Sequence, residues 1–156
     1  MPSRRDDICM TPGEIGAYMR QQRRIILITN GANGLPHPVP MNFGLDKEDR
    51  IVITSFAKSQ KVKNLDRDPR ATLLVESGTI YREFKSVIAY CDAEILIDPE
   101  TIHAGLQHIR TESAMAASLS TEMNEQIRAS LAKRVLLRFT PFRHVSWDHG
   151  KLGGFY

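Results

Sequence analysis

Three prolines at alternate positions, Pro36, Pro38 and Pro40, lie inside the run LPHPVPMNFGL and constrain the fold more than any other feature of the chain. Alternate residues of a strand turn their N–H groups to the same side, so three prolines in that phase strip one side of its donors. The run is therefore an edge or bulged strand rather than a regular central one. Fixed φ angles also stiffen it, which suits a segment that frames a ligand.

The neighbouring segments read as partners for that edge. RIILITN (24–30) is β-branched and ends at the turn-forming GANG (31–34), which predicts a hairpin into the proline run. DKED (46–49) reads as a polar turn and RIVITSF (50–56) as a third strand. ATLLVES (71–77) is an apolar strand, FKSVIAYCDAEILID (84–98) is long enough to bend around a barrel, and RVLLRFTPFRHVSW (134–147) is the last strand. In TPGE (11–14), Thr11 is an N-cap, Pro12 sits in the first turn and Glu14 closes a capping box, so a helix is expected to about Gln22. Two more helical stretches are expected after Pro99, over 99–117 and 120–132. Five or six strands at hairpin spacing, broken by one short helix and one helical excursion, predict a mainly β fold, a small β-barrel with peripheral helices. With 156 residues the chain is expected to form one domain, 1–156.

Between the third strand and ATLLVES lies SFAKSQKVKNLDRDPR (55–70), with five lysines and arginines against two aspartates. A short helix is expected from near Lys58 or Ser59 to just before Asp68 and Pro69, docked through Val62 and Leu65, with Lys58, Lys61 and Asn64 on a neighbouring face. Lys61 falls one turn into it, where free N–H groups and the helix dipole favour an anion. Ser59 would add a hydroxyl, Lys61 a charge and Asn64 an amide. Taken by spacing alone, the same lysines also suit a solvated face.

Other chemistries find little support. Apolar and charged fractions of 42% and 25% are ordinary for a globular protein. The longest apolar run, IILIT (25–29), is far shorter than the roughly 20 residues a membrane helix needs. No secretory signal is read in the charged MPSRRDD start, and Cys9 and Cys91 are too few for a disulfide framework, so a cytoplasmic protein with two structural cysteines is expected. His103 and His108 would point about 140° apart on a helix, and His144 and His149 have no acidic or cysteine partner at ligand spacing, so no metal site is expected. No nucleophile elbow is present. Aromatic residues are 7% and only Phe56 borders the basic helix, so nucleic-acid binding is not expected.

The ordered set PHPVPMNF, ITS with SQK four residues on, NLDRDPRATLLVE and VSWDHGKLGG resembles the pyridoxamine 5'-phosphate oxidase-like superfamily, which includes flavin and deazaflavin oxidoreductases. The resemblance implies a split β-barrel of the FMN-binding type that dimerises and holds a phosphorylated flavin-type cofactor between subunits. It places Val39, Pro40, Met41 and Asn42 along the isoalloxazine ring, and Thr54 and Ser55 at the ring edge and ribityl chain. Ser59, Gln60 and Lys61 take the phosphate. Trp147 and Lys151 come from the other subunit, with Lys151 the positive group nearest the ring.

The expectation is thus a homodimeric, FMN-dependent oxidoreductase acting on a small molecule, its catalytic residues undefined because the cofactor carries the chemistry. Pyridoxamine phosphate is not the expected substrate. The oxidases proper carry an arginine-rich strand and an Arg-Leu-His-Asp-Arg type tail where this chain has HPVPMNF and DHGKLGG. Two alternatives stand beside FMN: a deazaflavin coenzyme, whose longer tail Lys58, Lys63 and Arg67 would accompany, and a non-catalytic protein storing flavin or haem. The faces carrying Ile102, Leu106 and Ile109 read equally as a dimer contact or a lid.

Overall fold

The computed structural model describes residues 3–109 and 124–153. Its strands are β1 (Arg24–Asn30), β2 (Pro36–Asn42), β3 (Gly44–Leu45), β4 (Ile51–Phe56), β5 (Arg70–Ser77), β6 (Lys85–Leu96) and β7 (Arg134–Asp148). They form one antiparallel sheet in the order β2-β1-β5-β6-β7-β4-β3. β2 and β3 lie at opposite edges of that order, yet only Phe43 separates them in sequence. One residue spans a few ångströms, so the sheet has to curl until its edges meet. Phe43 sits at that closure, 1% exposed.

Burial along β1 and β5 alternates strictly, with Ile25, Leu27, Leu73 and Val75 turned inward. Leu137 and Phe139 of β7 and Ile51 and Ile53 of β4 complete the same cluster. Leu27, Ile53, Leu73 and Leu137 are fully enclosed, each contributing about 2 kcal/mol on transfer from water.

Helices close the two ends. α1 (Arg4–Ile8), which the sequence reading did not foresee, leads into α2 (Pro12–Gln21). The expected capping box starts α2: Thr11 Oγ1 accepts from Glu14 N at 3.3 Å, and Glu14 Oε2 accepts from Thr11 N at 2.6 Å. Tyr18 of α2 then donates to Lys85 O at 2.9 Å, at the start of β6. α3 (Gln60–Arg67) plugs the other end, burying Val62, Asn64 and Leu65.

α4 (Pro99–Leu106) and α5 (Glu125–Leu131) pack outside β4 and β7. Helical structure ends at Leu106 rather than running on through 109, and residues 110–123 of the two expected stretches fall outside the described residues. Ile102, Leu106 and Ile109 are 0%, 1% and 5% exposed, in one cluster with Val52 and Leu136. That corrects their reading as dimer contact or lid: they are core. Gly105 allows the approach, since a Cβ there would meet Leu136 Cδ2 at 2.4 Å. Cys91 is buried as expected, whereas Cys9 is exposed, its thiol donating to Arg5 O at 3.2 Å. No described helix is long and apolar enough to cross a membrane.

Candidate functional site

Polar side chains that do not serve the core gather where β4 runs into α3. Ser55 ends the inward row of β4 and is 4% exposed, its hydroxyl 3.0 Å from that of Ser59. Ser59 is the N-cap of α3 by position, but its side chain makes no capping bond. The first N–H groups of α3, from Gln60 on, have no intrahelical partner. Lys61 stands in the same turn, half-buried and without an ion pair or hydrogen bond among the described residues. Removal from water alone holds its pKa below the ordinary lysine value.

This arrangement suits a phosphate by its own chemistry. Free helix N–H groups, two hydroxyls and a partly desolvated cation all lack a negative partner among the described residues, and a phosphate offers one to each.

Asn64 is placed differently from expectation. It is fully buried, its amide donating to Thr29 Oγ1 at 3.0 Å and its carbonyl accepting from Gln60 Nε2 at 2.9 Å. Its side chain is spent on tying α3 to β1 and on orienting Gln60. Thr54 lies on the opposite face of β4 from Ser55 and donates to Val135 O at 3.4 Å.

The β2 residues divide by parity. Val39 and Met41 turn toward the barrel, opposite Leu27 and Ile25, while Pro40 and Asn42 are exposed. One residue the sequence reading passed over joins them: His37, directly opposite Thr29. With Gln60, Asn64 and the 31–36 turn it lines a cleft of about 490 Å³, and its Nδ1 is buried with no hydrogen-bond partner among the described residues. The signal lay in the phase of β2, where alternation sends residue 37 inward with 39 and 41. A second groove of about 580 Å³ runs outside the barrel past Ile26, Pro40 and Leu74.

Trp147 and Lys151 sit at the far end. Trp147 pairs with Ser86 at the start of β6, and Lys151 belongs to the 3₁₀ turn that follows β7. Lys151 Nζ donates to Cys9 O at 2.7 Å and to Glu14 Oε2 at 2.8 Å. Its hydrogen bond, with the Thr11 cap, holds the Glu14 carboxyl down at about 2. The charge expected beside the ring is thus already paired within this chain. β1 spans the barrel from one plugged end to the other, about 20 Å for seven residues. Lys61 and Lys151 thus lie toward opposite ends of the barrel.

A protein-family model described as "Pyridoxamine 5'-phosphate oxidase" matches residues 11–148. No curated protein matches. Among solved structures, a conserved hypothetical protein from Mycobacterium tuberculosis is 32% identical, over 96% of this chain and 92% of that one, with a TM-score of 0.79. An FAD-binding protein from Mesorhizobium loti is 17% identical over 88% and 93%, TM-score 0.65. A structure titled "F420 Reductase" is 19% identical over 82% and 93%, TM-score 0.56. The two more distant likenesses show the fold, the split barrel.

Proposed function

Because the chain belongs to the pyridoxamine 5'-phosphate oxidase family, we propose that it is an oxidoreductase binding FMN in a cleft between two copies of itself. The observation that carries this reading is Lys61, a half-buried cation with no counter-ion among the described residues, beside the free start of α3. The cofactor supplies hydride or electron transfer when bound. What remains for the protein is placement. Ser59, Lys61 and the first N–H groups of α3 hold the phosphate, Gln60 and His37 line the cleft beside it, and the exposed backbone of β2 borders the ring.

Two observations support a dimer. The phosphate end and the Trp147 end of one chain lie toward opposite ends of the barrel, so if Trp147 borders the ring as the family resemblance implies, a second chain supplies it. Ile26, Leu74, Ile88 and Trp147 share the outer face of the sheet, belong to neither buried cluster and remain half-exposed. A second copy of the same face covers them.

Substrates bearing a phosphate are disfavoured. The nearest basic group of the tail, Lys151, is committed to Glu14, and a buried dianion without cations costs several kcal/mol. The substrate is a small molecule of another kind.

A deazaflavin coenzyme is the second reading. An open cleft of about 540 Å³ beside α3, lined by Asn30, Arg67, Asp68 and Arg70, has room for a tail beyond the phosphate, with Arg70 paired to Asp68 and Arg67 the remaining cation. Anaerobic titration with FMN and with the deazaflavin coenzyme, followed by NADPH or reduced deazaflavin, tests both. The proposal expects FMN to bind and a donor to bleach it. A bound ring that no donor reduces marks a storage protein, and no binding of either ring contradicts the proposal.

A further inference from the structure

β2 pairs only with β1 among the described residues. In an antiparallel ladder, alternate residues turn both backbone groups to the neighbour and the rest turn both away. The bonds flanking β2 fix the phase: Phe43 N donates to Arg23 O at 3.2 Å, and Gly31 N to Leu35 O at 2.9 Å. Odd positions thus face β1, while Pro36, Pro38, Pro40 and Asn42 turn their backbone to the open edge. A proline nitrogen carries no hydrogen. From 36 to 40 the edge therefore presents three carbonyl oxygens, about 7 Å apart, and no donor. No described residue donates to any of them. The first N–H along this edge belongs to Asn42.

Resting on the reading above that a flavin ring lies along residues 39–42, we infer that the Pro40 carbonyl faces the ring's N5, so that this edge discriminates between the ring's redox states and binds the reduced one more tightly. Oxidised flavin has a donor at N3 and a bare lone pair at N5. Two electrons and a proton at N5 convert that lone pair into an N–H. At Pro40 the edge offers an oxygen and no N–H, which repels the former and accepts a hydrogen bond from the latter, whereas N3–H is a donor in both states and Asn42 N–H lies beyond. By linkage, tighter binding of the reduced form raises the bound cofactor's potential, by about 30 mV per tenfold for a two-electron couple. A deazaflavin carries carbon at that ring position in both states, so this edge gives it no such preference. The same edge cannot zip to another strand, because a ladder needs donors from both sides.

Anaerobic equilibrium titration of the wild-type protein with FMN, oxidised and then dithionite-reduced, reads the preference, and the midpoint potential of bound against free FMN checks it independently. Tenfold or more tighter binding of the reduced form, with the potential raised to match, is expected. Pro38→Ala and Pro40→Ala each return one N–H to the edge; at least one should tighten oxidised FMN and shrink the ratio. Equal affinities in the wild type, tighter binding of the oxidised form, or a ratio unmoved by both folded variants overturns the inference while leaving the flavin reading intact. Failure of both redox forms to bind removes the flavin reading and this inference with it. Wild-type affinities and potential decide the matter even where a variant does not fold.

Discussion

The hydroxyls of Ser55 and Ser59 lie 3.0 Å apart, so the residue at the head of α3 is tied back to β4 instead of to its own helix. A working cap lost to alanine costs about 1 kcal/mol. Ser59→Ala breaks no cap but removes the bond to buried Ser55, so it should cost about 1 kcal/mol in urea unfolding and also weaken FMN by about tenfold. A full cap-sized stability loss with unchanged binding would make Ser59 a structural residue only.

Lys61 should behave in opposite senses in the free and bound protein. Its folded pKa is depressed by burial, so the folded chain holds this proton less tightly than the unfolded one. The charge therefore opposes folding at low and neutral pH, and that opposition fades as pH rises through the folded value and is gone above the unfolded lysine value. Lys61→Met should leave the cofactor-free protein as stable as wild type or more so, while FMN affinity falls ten- to a hundredfold. In the wild type, affinity should be greatest above the phosphate's second pKa, about 6, and fall as pH climbs through the Lys61 value. Calorimetric titration across pH reads both limbs. A variant that is less stable but binds normally would contradict the assignment.

The Lys151–Glu14 contact holds the C-terminal turn against α2. Glu14 titrates at about 2, below its ordinary 4.5, so what it contributes to stability is present above 4.5 and lost as pH falls through about 2. Carboxyl NMR titration should find it there, and Lys151→Met should move it up toward the ordinary range. An unmoved Glu14 would mean the Thr11 cap alone depresses it.

Leu74 and Ile88 are cross-strand neighbours on the outer face. Leu74→Asp should give a folded monomer by sedimentation and lose FMN together with dimerisation. A monomer that keeps wild-type affinity would show the site complete in one chain.

How far the sequence could be read varied with the range of the forces involved. Proline chemistry and the capping box are local, and both the edge position of β2 and the start of α2 follow from them. The barrel was expected from the strand spacing, but which edges meet did not follow, because that depends on β2 and β3 being one residue apart at opposite ends of the strand order. Lys58, Lys61 and Asn64, spaced by three, do not share a face: each step falls about 60° short of a full turn, so Asn64 drifts from Lys61 into the core against Thr29, and Lys58 precedes the helix. Lys151 and Glu14 are 137 positions apart, and no local pattern announces their contact.

The central claim is that the head of α3 holds a phosphate. Paired titrations with FMN and riboflavin, which differ by that group alone, test it most directly. The wild-type protein should favour FMN by about a hundredfold, and Lys61→Met should abolish most of the difference while leaving riboflavin affinity unchanged. Equal affinity of the wild type for both would contradict the account.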